Sequence, residues 1–345
     1  MDNITHTLTG LALSQAGLNR KTRFATLALI MGSNLPDLDV LWSNGGGANY
    51  LEYHRGITHS LLGVTLLGAA LAGLLCYLGR RFPIAEPQAT KAPKVNAPPL
   101  DVGWLFGVCW IATGGHLLMD FTNAYGVRPL LPFSDRWYAL DFMPIVDLLL
   151  LLALILGLGI PALLRVISEE VGAKKPAYQR GAVFSLAFLV LLWGLRDFAH
   201  RRVLGMLDGH TYGDENPVRL GAFPTFVNPF AWTGVVETSS NFHLLSVNAL
   251  AGDVDSRLSH DFPKPDPSPP LEAALESRTG VVFAHFARFL WVQVEETDDG
   301  DEVTLRDLRF ASPTEDRLGF AARIKLDHNL RVVSEWFSFS GQRRN

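Results

Sequence analysis

Cysteine is scarce in this 345-residue chain: two residues, Cys76 and Cys109, both inside apolar runs. Thiols in such surroundings behave as small hydrophobes, so no disulfide is expected and no redox compartment can be read from them. Strong net charge is lacking too. The balance is −4, which leaves no nucleic-acid footprint, and no nucleic-acid partner is expected. HExxH does not occur, which excludes the commonest zinc-protease arrangement. Neither a Walker loop nor a dinucleotide fingerprint stands in a suitable strand–helix context. A cleaved signal peptide is not expected, because the first charge is acidic (Asp2) and His6 and Gln15 interrupt the first apolar stretch.

Charge is also missing locally, and there its absence is informative. Residues 60–79 carry no Asp, Glu, Lys or Arg over 20 positions, 103–119 and 148–164 none over 17 each, and 181–195 none over 15. Crossing ~30 Å of hydrocarbon takes about 17–25 apolar residues in a helix. The first three runs qualify and the fourth is at the margin. Beyond position 200 the character changes. RFLWVQVEE, VTLRDLRFA, GFAARIKLD and RVVSEWFSF alternate apolar and polar positions, the period of half-buried strands. ETDDGDE, 296–302, reads as a hairpin turn and FPKPDPSPP, 262–270, as a proline-rich loop. The fold class expected is an α-helical membrane bundle followed by a mainly antiparallel β domain, with a boundary near 202/203.

Residues 4–18 and 22–35 flank a basic turn with Arg20, Lys21 and Arg23. Each is too short to span a bilayer unaided, so a hairpin of short helices packed against four spans is expected. Residues 80–101, with five prolines, read as an extended loop, and 165–180 as a second basic connection. Placing both on the cytoplasmic side puts the C-terminal domain outside the cytoplasm. The Arg196, Arg201 and Arg202 cluster stands against that orientation.

By connectivity alone, His and Asp from four segments reach one end of the bundle. His6 begins the first helix. Asp37 and Asp39 follow the second, beyond Pro36. His54 and His59, in YHRGITHS, precede the first span, and His116 and Asp120 close the second, four apart on one helix face. Imidazole nitrogens and carboxylate oxygens are the donor set for zinc and related divalent ions, and ionisable groups at membrane depth persist mainly when paired or functional. Singly each has a plainer role: His6 as a cap or surface residue, Asp37 and Asp39 as a polar turn, His54 solvated, His59 in a first helical turn, His116 and Asp120 as a hydrogen-bonded pair. Their convergence favours a metal site with one or two ions, most simply Zn²⁺. Asp147 reads as a partner of a helix N-terminus.

THTLTG, SNLPDLD, HRGITHS, and HLLMD followed by Asn123, Gly126 and PLLPFS resemble the membrane-bound metal-dependent hydrolases, a family of inner-membrane-associated proteins. The resemblance covers about residues 1–200. FPTFVNPFAWTGVVE, 223–237, resembles the C-terminal domain of longer members. What the resemblance implies is a multi-pass inner-membrane protein with a metal-dependent hydrolase site. A more distant similarity, to zinc-dependent phospholipase C and single-strand nucleases, reaches His116 and Asp120 and more loosely His6, Asp37 and His59. It breaks downstream, where no HxxxE pair follows.

Two function classes follow. The first is a hydrolase of an ester or phosphoester, its substrate in or on the lipid bilayer. In that class Asp37 or Asp39, whichever is not a ligand, takes the proton, and Arg55 meets a phosphate or developing oxyanion. Arg55 serves equally as a snorkelling cation. The second class is a non-catalytic membrane protein with a structural or sensory ion and a β domain that binds a partner.

Overall fold

Polar residues that accept backbone N–H groups stand before the long helices. In the computed structural model, which describes residues 1–82, 98–171, 178–312 and 320–338, Asp2 Oδ1 accepts from Thr5 N at 2.9 Å, Ser60 Oγ from Gly63 N at 2.9 Å and Asp101 Oδ1 from Trp104 N at 2.9 Å. Asp147 Oδ1 accepts from Leu150 N at 2.8 Å, the helix-terminus role expected of it. Each contact satisfies a donor that a helix start leaves open. The helices so begun are α1 (Asn3–Gln15), α4 (Leu61–Arg81), α5 (Val102–Phe121) and α6 (Leu148–Val171). α2 (Ala25–Gly32), α3 (Gly47–Tyr53) and α7 (Tyr178–Asp208) complete the set up to residue 208.

Two compact units result. The first comprises residues 1–38, 55–140 and 145–194. Among the described residues four helices, α4 to α7, are long and apolar enough to cross a membrane, and they coincide with the four charge-free runs. α1 and α2 form the short hairpin expected ahead of them. The core between α2, α4 and α5 is built from Ala28, Leu29, Leu71, Leu75, Leu105, Val108 and Cys109. α6 and α7 meet backbone to backbone: a Cβ on Gly157 would stand 2.0 Å from Ser185 Oγ, and one on Gly181 2.0 Å from the Gly157 carbonyl. Most of the proline-rich stretch (83–97) lies outside the described residues, as does 172–177 of the second basic connection, whose described parts continue α6 to Val171 and begin α7 at Tyr178.

The second unit comprises residues 39–54, 141–144 and the chain from 195 onward. One antiparallel sheet is β1 (Arg219–Pro224), β2 (Ala231–Glu237), β3 (Asn241–Asn248) and β4 (Asp253–Pro263) in the order β1-β2-β3-β4. The other is β5 (Leu290–Thr297), β6 (Gly300–Asp307), β7 (Ala321–Leu326) and β8 (Val332–Ser338), again in sequence order. ETDDGDE turns as expected, pairing Thr297 with Gly300. Two helices, α8 (Pro269–Glu276) and α9 (Arg278–Phe286), lie between the sheets in sequence. Alternation alone did not reveal them. The proline-rich stretch therefore divides: β4 ends at Pro263, and Pro269 and Pro270 open α8, where a missing N–H is no loss.

Two excursions from the first 150 residues belong to this unit. α3 is held by Arg278, whose Nη2 donates to Asn49 Oδ1 at 2.5 Å, and Gly47 lies so close to the Phe337 ring that a Cβ would be 2.5 Å from it. Asp141 receives both arms of the Arg288 guanidinium, at 2.8 and 2.5 Å.

Candidate metal centre

Three junctions of the first unit bring the centre together. Gly32 ends α2 against α5, where a Cβ would come within 2.7 Å of Ala112 Cβ. That closeness carries the Ser33 carbonyl to His116, which donates from Nδ1 at 2.8 Å. The bond fixes the His116 tautomer and turns its Nε2 lone pair inward. His59 sits in the short turn before α4 with Nδ1 3.0 Å from Thr58 Oγ1, and it too points Nε2 inward. Asp37 enters from the turn that follows α2.

Four donor atoms meet there: Asp37 Oδ1, His59 Nε2, His116 Nε2 and Asp120 Oδ2, all within 4.8 Å of one another. The two Nε2 atoms are 3.0 Å apart. His59 Nε2 lies 3.3 Å from Asp37 Oδ1 and 3.4 Å from Asp120 Oδ2, and His116 Nε2 lies 3.4 and 3.5 Å from the same two oxygens. A tetrahedral ion with bonds of ≈ 2.0–2.1 Å needs ligand–ligand edges of about 3.3–3.4 Å. Five edges of this cluster match that spacing to within 0.4 Å, and the donors are two imidazoles and two carboxylates. The residues fit a divalent ion.

The surroundings hold the cluster rigidly. His59, His116 and Asp120 have fully buried side chains, whereas Asp37 keeps 13% exposure. Burial alone would raise the Asp37 carboxyl. The neighbouring His116 and His59 rings outweigh that burial and hold it well below the usual carboxylate range instead. The other Asp120 oxygen, Oδ1, is met by Arg55 Nη2 at 3.1 Å, His6 Nε2 at 3.3 Å and the Met1 α-amine. The His6 ring also stacks on His116 at 3.9 Å.

Arg55 is buried, with a left-handed backbone at φ 55°. Its Nη1 donates to Asn123 Oδ1 at 3.0 Å and to the Gly126 carbonyl at 3.2 Å, and the guanidinium covers the Tyr125 ring at 4.7 Å. In the second unit Asp39 and His54 pair with each other, Nδ1 to Oδ1 at 2.9 Å, and His54 stacks on Tyr50. The structure thus joins Asp37, His59, His116 and Asp120 directly, adds His6 and Arg55 through Asp120, and pairs Asp39 with His54. Sequence reasoning missed the Ser33 carbonyl, since a backbone acceptor leaves no side-chain signal. Thr58 reads in the sequence as an alternative to Ser60 for the helix cap; Ser60 takes that place, and the Thr58 hydroxyl meets His59 instead.

The helices and the cluster come from the part of the chain, residues 1–203, that matches the model of the YdjM inner membrane protein family. The chain belongs to the YdjM inner membrane protein family. That description gives this YdjM-family chain a location, the inner membrane, and no reaction. Residues 269–344, which include the second sheet with α8 and α9, match the YfhP C-terminal alpha/beta plait domain. The chain is also similar to the uncharacterized protein YfhP of Bacillus subtilis (strain 168), 30% identical over 158 residues. The match covers 43% of this chain and 42% of that relative, less than half of its length. No solved structure matches the chain.

Proposed function

We propose that this inner membrane protein is a metal-dependent hydrolase acting on an ester or phosphoester at the bilayer, with Asp37, His59, His116 and Asp120 holding the ion. The observation that carries the reading is the convergence of two imidazole nitrogens and two carboxylate oxygens within 4.8 Å of one another. A divalent ion in this position supplies Lewis-acid polarisation of a carbonyl or phosphoryl oxygen and lowers the pKa of water. The chain supplies the rest. The Ser33 carbonyl holds His116 in its ligand tautomer, and the Thr58 hydroxyl meets His59 Nδ1 on the side away from the centre. Arg55 and His6 fix one oxygen of Asp120 and leave the other for the centre. The exposed edge at Asp37 supports an approach for substrate, and a site with an open edge suits catalysis better than a closed structural one.

The burial of the other three ligands favours the second reading, a structural or sensory ion with a partner-binding C-terminal domain. Metal analysis of detergent-purified protein, followed by a screen of phosphoesters and lipid phosphoesters, decides between them. The wild type should retain one or two divalent ions, most simply Zn²⁺, and the His59→Ala, His116→Ala double variant none, both remaining folded. An ion without turnover of any ester would leave the structural reading. No ion under metal-replete conditions would remove both.

The same experiment separates the two carboxylates expected to take the proton. Asp37→Asn and Asp39→Asn differ in outcome: loss of the ion marks a ligand, whereas loss of turnover with the ion retained marks the proton acceptor. Orientation is the remaining part of the reading. Arg20, Lys21, Arg23, Arg80 and Arg81 gather at the turns of the first unit away from the centre, with Lys21 over Trp104 and Arg23 donating to the Gly79 and Phe82 carbonyls. The positive-inside rule assigns that end to the cytoplasm, which supports a centre and a C-terminal domain on the outer side.

A further inference from the structure

Gly114 and Gly115 stand within α5 with no atom inside 4 Å of the place a Cβ would take. A glycine in a helix interior costs about 1 kcal/mol against alanine. Gly32, Gly157 and Gly181 have a packing reason for it, since a neighbour lies where their Cβ would be. Gly114 and Gly115 have none, in common with Gly73, Gly107, Gly159, Gly194 and Gly205, and these two stand side by side on a groove. A groove of about 660 Å³ runs between α4 and α5, with these two glycines in its wall beside Leu61, Trp110, Leu117, Phe121 and Val127.

The groove is apolar, and its one hydroxyl, Thr65 Oγ1, is engaged by the Leu61 carbonyl at 2.7 Å. Leu61, Trp110 and Leu118 are 58, 49 and 49% exposed, so it opens onto the surface that two membrane-crossing helices present to lipid. Its occupant is therefore hydrocarbon. The dimensions narrow this further. From Trp110 to Phe121 α5 rises about 16 Å at 1.5 Å per residue, close to half of the ~30 Å hydrocarbon thickness. That is the depth of one leaflet. The volume holds about twenty water-sized groups at ~30 Å³ each, enough for one acyl chain. The rim lies level with the candidate centre, because Leu61 follows His59 by two residues and Phe121 directly follows Asp120.

We propose that this groove seats one acyl chain of a membrane lipid and so presents that lipid's headgroup at the level of the Asp37–His59–His116–Asp120 centre. The lipid's standing as substrate rests on the hydrolase reading above, whereas the seating of its chain does not.

Photolabelling of the full chain in nanodiscs tests the seating. The discs contain phosphatidylethanolamine and phosphatidylglycerol, a minor fraction with a diazirine either at the chain end or near the headgroup. Mapped peptides should show several-fold more label in the groove than on the exposed α6 face at Leu152, Ile155 and Leu163. The chain-end probe should mark the Trp110 region and the headgroup-proximal probe the Leu61–Phe121 rim. Gly114→Leu and Gly115→Leu fill the groove without a Cβ clash, so each should abolish that excess and leave the α6 label and the metal content unchanged.

Equal labelling of α5 and α6, or an excess that survives both substitutions, overturns the proposal. So do chain-to-chain cross-links within the groove, which would put a second copy there. The His59→Ala, His116→Ala variant separates the two readings. Groove labelling that persists in it shows that the lipid seat stands without the metal, and a wild type that is labelled in the groove yet turns over no ester keeps the seat while the hydrolase reading fails.

Discussion

Arg55 concentrates the cost and the purpose of the centre in one residue. A left-handed backbone is unfavourable for any side chain but glycine, and a buried guanidinium is costly unless every charge near it is answered. Both are tolerated because one side chain ties Asp120, Asn123 and the Gly126 carbonyl together. Lysine at this position keeps the charge and loses the planar fork. Arg55→Lys should therefore lower the midpoint of thermal unfolding by several degrees and weaken metal retention, both read on the same purified sample. Unchanged values for both would show that the fork is dispensable. The reasoning that found His59, His116, Asp120 and Asp37 from the sequence was one of connectivity, since each stands at the same end of its element. That reasoning named Asp39 and His54 as ligands too; their hydrogen bond to each other could not be read from it, because a carboxylate and an imidazole look the same in sequence whether they meet a cation or each other. Arg55 was legible as a charge near the site, but its partners were not, since two of the three arrive from beyond the end of α5.

Glycine acts on two opposite principles within the four long helices, and only coordinates separate them. At Gly157 and Gly181 it removes a side chain so that α6 and α7 can touch, in the manner of small-residue contacts between membrane helices. Ser185, donating to the Ala153 carbonyl at 2.9 Å, adds a hydrogen bond to the same contact. Gly157→Leu would drive a side chain into that bond and should cost about 1–3 kcal/mol, the usual range for overpacking. Detergent-titrated unfolding would measure it, with Gly159→Leu, which meets no atom within 4 Å, as the neutral control. The four spans and the N-terminal hairpin were legible because absence of charge over a bilayer's thickness has few other meanings. α3 was not, since GANYLEY is short and weakly patterned and is held by residues of α9 and β8 more than 200 positions away. α8 and α9 were hidden for a related reason: a proline-rich approach reads as loop until its last two prolines prove to be a helix start.

In the first unit Arg20, Lys21, Arg23, Arg80 and Arg81 stand at the helix ends opposite the candidate ligands, an asymmetry that makes orientation measurable. Asp298→Cys places a thiol at the exposed β5–β6 turn, and Lys21→Cys one at the basic turn; the native thiols lie within α4 and α5. On intact spheroplasts a membrane-impermeant maleimide should modify the first and reach the second only after permeabilisation. The reverse pattern would put the centre on the cytoplasmic side. The spacing of the four donors along the chain has a consequence for biogenesis. His59 and His116 are 57 positions apart, and α4, its loop and most of α5 lie between them. A nascent chain that has released only α1 to α4 possesses Asp37 and His59 but neither of the α5 donors. The proposed coordination shell would be completed only when α5 enters the bilayer, and an ion captured then would close a 57-residue loop whose ends would otherwise be free to separate. Metal loading would in that way record the moment at which the second span is inserted.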